Sequence, residues 1–297
     1  MTKPGPEKSV KIQPRDIEIL KALFACRFLS TSQIQKVFFR KNRSVVCHRL
    51  NVKLLPQNIV IRHYPKVRFD NVEAVYSLGS EGVKILASEL GVESTEIYRP
   101  REQAFSPLFM KHILEINDFW ISLRSACNSD DPGCDLLSWW TEKKLRRRFQ
   151  NPKSKVDRPI PDSRFSLKYP DGSKGNFFLE LDRGTERPGI FQKKIGRYLE
   201  YYESGQQISD YGFKVFRVLT VVPDEPRLNS LLKASAETGA NNMFLFGLSN
   251  HMTPVKILSK IWITPRDVFE VFRDSSGNIK TRERKDLEST GKRHSIA

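Results

Sequence analysis

The segment NFFLELDRGTE, residues 176–186, is an apolar run that ends in three acids, Glu180, Asp182 and Glu186. With Asp171-Gly172 before it and Gly184 after it, the run reads as a buried strand returning from a hairpin turn. Side chains alternate along a strand, so Glu180 and Asp182 share a face roughly 7 Å apart. Asp162, directly after Pro161, opens the partner strand and reaches the same end. Carboxylates gathered in one place repel, and each raises its neighbours' pKa unless a cation joins them. Mg²⁺ is the natural cation, a hard ion that takes one or two carboxylates, waters and phosphate oxygens. Asp162, Glu180 and Asp182 are therefore the candidate metal ligands. A metal held there activates water and steadies a leaving oxygen in phosphodiester cleavage.

The surrounding elements complete an α/β domain over residues 108–273. FMKHILEINDFWISLRSA (109–126) is an amphipathic helix, and a strand around Leu136–Trp140 follows it. The basic run Lys143, Lys144, Arg146, Arg147 and Arg148 comes next. After the hairpin, PGIFQKKIGRYLEYYESG forms a helix with Ile190, Phe191, Ile195, Tyr198, Leu199 and Tyr202 on one face. KVFRVLTVVP (214–223) is nearly continuous in apolar residues, as a buried central strand should be. Trp139, Trp140 and Trp262 read as core, with base stacking by the first two as a lesser alternative.

Charge divides the chain. Residues 1–68 carry 15 Lys and Arg against 3 Asp and Glu, whereas the other 229 residues carry 35 against 31. A basic excess concentrated on a folded segment suggests a polyanion. That segment predicts a winged helix-turn-helix over 13–91, after a flexible stretch at 1–12. Ile17, Leu20, Leu23 and Phe24 mark a first helix. Ser30, Thr31 and Ser32 are N-cap types before a short second helix. Val46, Leu50 and Leu54 form the buried stripe of a third. The opposite face of that third helix, Ser44, Cys47, His48 and Asn51 with Arg43 and Arg49 beside it, suits a major groove, where Asn51 pairs with adenine. NIVIRHY and AVYSLG make a hairpin whose turn carries Lys66 and Arg68, and SEGVKILASELG closes the domain as a helix. The candidate DNA-binding residues are Arg43, Ser44, His48, Arg49, Asn51, Lys53, Lys66 and Arg68. A linker is expected at 92–107 and a basic, disordered tail at 274–297.

Pro161-Asp162, a spacer and Glu180-Leu181-Asp182 together resemble the PD-(D/E)xK nuclease superfamily. The lysine expected two residues after the acid is Asp182 here, and the family is known to move that lysine to the following helix. The resemblance therefore makes Lys194 a catalytic candidate beside Asp162 and Glu180, with Tyr198 one turn later. Glu115 in the preceding helix would add a carboxylate, while His112 and Asn117 read as helix-surface or capping groups. The whole pattern, from the winged helix through HILEINDFW, PDSRFSL, FFLELDRGTE and KKIGRYLEYY, is also similar to the replication-relaxation proteins of plasmids and other mobile elements. The implied fold class is α/β of the α+β kind, a winged helix-turn-helix followed by a restriction-endonuclease-like domain with a central mixed sheet. The implied role is replication or relaxation of DNA, with double-stranded DNA as partner and a relaxase or replication initiator beside it.

Several classes are disfavoured. The five histidines never pair, so a rolling-circle relaxase site is not expected, and Tyr201-Tyr202 reads as helix packing. There is no GxxxxGK[ST] nucleotide loop and no CxxC zinc pair. No apolar run reaches the roughly 18 residues of a membrane span, and the N-terminus lacks a signal-peptide core. The expected location is cytoplasmic, with the four cysteines reduced. Two alternatives to a Mg²⁺-dependent nickase stay open. One is a non-enzymatic accessory factor in which the acids pair with Arg183, Arg187 or Lys194. The other is a winged-helix transcriptional regulator with a sensory second domain. A homodimer is compatible with each.

Overall fold

The computed structural model describes residues 10–39, 42–64, 73–97, 105–130, 132–149, 157–273, 279–283 and 293–297. The chain forms two compact units, Met1–Ile121 and Ser122–Ala297.

In the first unit, helix α1 (Pro14–Cys26) begins at a proline, whose missing N–H is no loss in a first helical turn. Ile19, Leu20, Leu23 and Cys26 face its core. A two-residue strand, β1 (Leu29–Ser30), leads into α2 (Thr31–Phe38). Ser30 caps that helix as its residue type predicts: its Oγ accepts from Gln33 N at 3.2 Å, and Gln33 Oε1 accepts from Ser30 N at 3.1 Å. Ser30→Ala breaks this reciprocal box. It should lower the unit's stability by about 1 kcal/mol, read from denaturant midpoints at unchanged m-value. Helix α3 (Arg43–His48) is capped by Asn42 and continues as a wider π-wound segment, Arg49–Leu54. Val46, Leu50 and Leu54 are fully buried, as their spacing predicts.

Strands β2 (Val60–His63) and β3 (Val75–Leu78) pair antiparallel, and β1 adds to the other edge of β3. The turn expected to carry Lys66 and Arg68 lies outside the described residues. Helix α4 (Ser80–Leu90) closes on Gly91, whose φ of 65° is the left-handed conformation that ends a helix. Gly82 allows α4 to lie against the backbone before β2, since a Cβ there would sit 2.1 Å from Ile59 O.

This unit does not end at the expected linker. The long helix α5 (Pro107–Cys127) packs Met110 against Phe28 and Val75, with Phe105, Phe109, Ile113 and Leu114 around them. Asn117, read as a helix-surface or capping group, is buried and donates to Phe28 O at 2.5 Å. Gln33 Nε2 reaches Leu114 O at 2.8 Å. The division between units falls inside α5 because its first turns complete the first core.

The second unit is built on a mixed five-stranded sheet in the order β4-β5-β6-β7-β8. β4 (Asp135–Thr141), β5 (Ser163–Lys168) and β6 (Lys174–Leu181) run antiparallel. The β5–β6 hairpin turns at Asp171-Gly172, with Gly172 at φ 83° and Asp171 Oδ1 accepting from Ser173 N at 2.9 Å. The basic run, not expected as a helix, forms α6 (Glu142–Arg148) after β4. Helices α7 (Pro188–Glu203) and α8 (Gln206–Tyr211) carry the chain to β7 (Arg217–Val222), parallel to β6. Helix α9 (Glu225–Glu237) leads to the parallel β8 (Phe244–Leu248). β7 lies between β6 and β8 and is buried from Val218 to Val222.

The core gathers Phe178, Phe191, Ile195, Tyr198, Tyr201, Phe216 and Phe244. The buried face of α7 is rotated from the expected stripe: Ile190 and Tyr202 are 52% and 37% exposed, whereas Tyr201 is buried. Tyr201 goes inward because its hydroxyl finds a partner there, donating to Asp210 Oδ2 at 2.8 Å.

Beyond β8, α10 (Pro265–Val268) precedes strand β9 (Phe269–Arg273), which pairs antiparallel with β10 (Ile279–Glu283). The region expected as a disordered tail thus contributes a strand. Near its end His294 bridges Trp262 and Ile296 is buried, although residues 284–292 lie outside the described set. All four cysteines are free, and Cys127 and Cys134 bring their Sγ atoms to 3.7 Å. Among the described residues no helix is long and apolar enough to cross a membrane.

Candidate active site and nucleic-acid surface

Glu180 and Lys194 meet where β6 faces α7. Lys194 and Tyr198, one helical turn apart on α7, present to the same side. Tyr198 donates its hydroxyl to Glu180 Oε1 at 2.6 Å, and Lys194 Nζ donates to Oε2 at 3.0 Å. Lys194 also lies 3.7 Å from Glu186 Oε2. Asp162, just before β5, accepts Leu181 N at 2.8 Å. Its charge acts on Glu180, Lys194 and Tyr198 alike. Burial pushes the Glu180 carboxyl up to about 7; the Lys194 ammonium works against that rise and Asp162 adds to it. Burial acts to lower Lys194, but the Glu180 carboxylate outweighs it and the ammonium is held above its ordinary value. Tyr198 is raised well above the phenol range, first by burial and then by Glu180. Asp162, Glu180 and Lys194 are therefore neighbours.

Asp182 is not part of this group. Strand β6 ends at Leu181, and Arg227 from the first turn of α9 grips the Asp182 carboxylate with two bonds of 2.7 and 2.6 Å. The same guanidinium donates to Glu186 O at 2.6 Å, and Gly184 N donates to Asp182 Oδ1 at 2.8 Å. Asp182 thus ties the turn after β6, and the expected three-carboxylate metal cluster is not assembled. Among the described residues no group of three or more His, Cys, Asp or Glu is arranged to hold a metal ion. Asp162 and Glu180 remain, and two carboxylates are a donor set that Mg²⁺ accepts when waters and phosphate fill its other positions. Glu115 lies in the first unit, 3.8 Å from Lys111 one turn away.

On α3 of the first unit the predicted face shifts. Ser44 and His48 are exposed. Between and beyond them Val45 and Val52 are 46% and 53% exposed, where the sequence predicts Cys47 and Asn51. Arg43 is exposed and pairs with Glu73 at 3.0 Å, and Lys53 is half-buried. Arg49 turns inward to the fully buried Asp16, with Nε 2.9 Å from Oδ1 and a closer contact to Oδ2, and it donates to Lys11 O at 2.9 Å. Asn51 Oδ1 accepts from Arg62 at 3.0 Å and from Tyr76 at 2.9 Å, so its carbonyl is engaged within the unit. Arg49 and Asn51 therefore hold the fold instead of offering free groups to a groove.

Arg227 has no local signal in the sequence, because its partner lies 45 residues away. The chain belongs to the replication-relaxation family, whose model matches residues 20–216. No curated protein and no solved structure matches the chain. Asp162, Glu180, Lys194 and Tyr198 fall inside the matched span, and Arg227 falls beyond it.

Proposed function

We propose that this replication-relaxation protein acts on the DNA of a plasmid or related mobile element. In this reading its first unit binds duplex DNA as a winged helix, and its second is a nuclease-like domain that nicks it. The observation that carries the cleavage reading is the meeting of Asp162, Glu180 and Lys194 at one end of a mixed sheet, with Glu180 buried and strongly perturbed. Such perturbation by burial plus a specific charge partner is typical of functional sites. Asp162 and Glu180 would hold Mg²⁺, which supplies neutralising charge and an acidified water when bound. Lys194 places a fixed positive charge beside Glu180, suited to a phosphate oxygen. Tyr198 fixes the orientation of the Glu180 carboxylate. On α3 and the π-wound segment after it, Ser44, Val45, His48 and Val52 form the surface turned to the groove, and the two valines suit thymine methyl groups.

A second reading is favoured by one observation, the engagement of both Glu180 oxygens and of Asp182 by protein donors. It makes the second unit a non-cleaving accessory that positions a separate relaxase or initiator.

Supercoiled plasmid carrying the element's own origin, incubated with the protein in Mg²⁺, Mn²⁺ or EDTA, separates the two. Metal-dependent nicking by wild type is expected, with a loss of at least about 100-fold in Glu180→Ala and Lys194→Ala. Binding without nicking under every metal condition would leave the accessory reading.

A further inference from the structure

The basic run on α6 has a place in the second unit that the acid site does not use. Lys144 Nζ lies 4.5 Å from the centre of the Trp140 ring, and the Arg148 and Arg164 guanidinium carbons each lie 5.3 Å from it. Trp140 and Arg164 are direct cross-strand partners on β4 and β5, so the sheet fixes the platform on which the three cations meet. Arg148 and Arg164 also lie over Tyr211, at 5.9 and 4.9 Å. Lys144 and Arg148 are exposed on α6, whereas Arg164 is only 7% exposed.

Among the described residues the Arg164 guanidinium donates one hydrogen bond, to Ser166 Oγ at 3.1 Å, and its Nε is buried without a partner. Among the described residues no carboxylate lies within ion-pair distance of Lys144, Arg148 or Arg164. The neighbouring acid, Asp210, is committed to Arg158 at 2.8 and 3.2 Å, to Tyr201 and to Gln206. Arg148 meets Asp210 only at its backbone carbonyl, at 2.7 Å. Although Lys144 as a residue is exposed, desolvation against Trp140, then Arg164 and Arg148, act to lower its ammonium, and burial lowers Arg164, so the three charges are held together against their own repulsion. Cation–π contact with Trp140 and Tyr211 offsets part of that cost, but it neutralises none of the charge. Three unneutralised cations, one of them buried and rigid, match the several acceptor oxygens of a phosphate better than a single carboxylate.

We propose that Lys144, Arg148 and Arg164, gathered on Trp140, form a phosphate-binding site whose ligand is a backbone phosphate of DNA. The choice of DNA rests on the reading above that the protein acts on DNA; it does not require cleavage. The site clamps the strand by charge and carries no base preference, so it contributes equally to any sequence.

The full-length protein is titrated with duplex DNA over a range of salt, beside Lys144→Gln/Arg148→Gln, whose positions are exposed and tolerate replacement, and Arg164→Lys. Arg146→Gln on the same helix is the control, because its guanidinium is paired with Glu142 at 2.6 Å. In the double variant the slope of log affinity against log salt should shrink by about 0.9 for each DNA phosphate no longer neutralised, or about eightfold in affinity per tenfold drop in salt. Arg164→Lys should fall between wild type and the double variant, and Arg146→Gln should stay near wild type. DNA binding with an unchanged slope in the double variant would overturn the site while leaving the DNA reading intact. Failure of wild type to bind DNA would overturn that reading and the DNA ligand with it. Inorganic phosphate and pyrophosphate then decide the rest. A rise in the Tm of wild type but not of the double variant would keep a site for free phosphate, and no rise would remove the site altogether.

Discussion

Arg49→Ala lowers the unfolding free energy of the first unit by about 3–5 kcal/mol, the cost of leaving a buried charge without its partner. The partner is Asp16, whose side chain is fully inaccessible while that of Arg49 is 12% exposed. Asp16 also receives Gln13 N at 2.7 Å at the start of α1. The guanidinium joins this helix start to the third helix and also ties down Lys11 O. Arg49→Lys recovers only part of the loss, since an ammonium cannot make the two-pronged contact. Chemical denaturation followed by far-UV circular dichroism measures both variants. A loss below about 1 kcal/mol would mean that the ion pair forms no part of the core and would return Arg49 to the surface offered to DNA.

Raising the pH from about 4.5 to about 7 should destabilise the wild-type second unit relative to Glu180→Gln. Burial raises the folded carboxyl from its ordinary 4.5 to about 7. Below that window both the folded and unfolded chains hold the proton. Within it the unfolded chain releases the proton and the folded chain keeps it, so stability falls as pH rises. Above about 7 both are ionised and the difference is constant, at about 3 kcal/mol by the ordinary conversion of pKa into free energy. The glutamine variant has no proton to exchange, so the gap between the two unfolding curves isolates this residue. A gap independent of pH would show that Lys194 and Tyr198 fully compensate the buried charge.

What the sequence discloses depends on how far apart the interacting residues lie. Ser30 and Gln33, or the Asp171-Gly172 turn, are local devices whose residue types announce them. The stripe Val46, Leu50, Leu54 follows from helical period alone. Lys194 and Tyr198 are legible as one helix face, and strand alternation points to Glu180 opposite them. Pairs made by tertiary structure are not legible. Asp182 looks like a third ligand because nothing near it reveals Arg227, and Arg49 looks like a groove contact because Asp16 sits two helices earlier. The shift from Tyr202 to Tyr201 on α7 depends on Asp210, which only the fold brings within reach. In each case a polar side chain is drawn inward by one distant partner, which periodicity cannot register.

Helix α5 bears on how such a protein can be inherited in pieces. It seals the first core through Met110 and Asn117, so that core is not complete before α5. A fragment stopped there would leave Phe28 and Val75 uncovered and should aggregate, while one extended to Ile121 keeps its seal. Recombination that trades the first unit among related proteins would therefore succeed only when the breakpoint lies within a continuous helix. If the first unit binds DNA as proposed, new target sites are then more readily reached by point changes on the exposed third helix than by exchanging the whole unit.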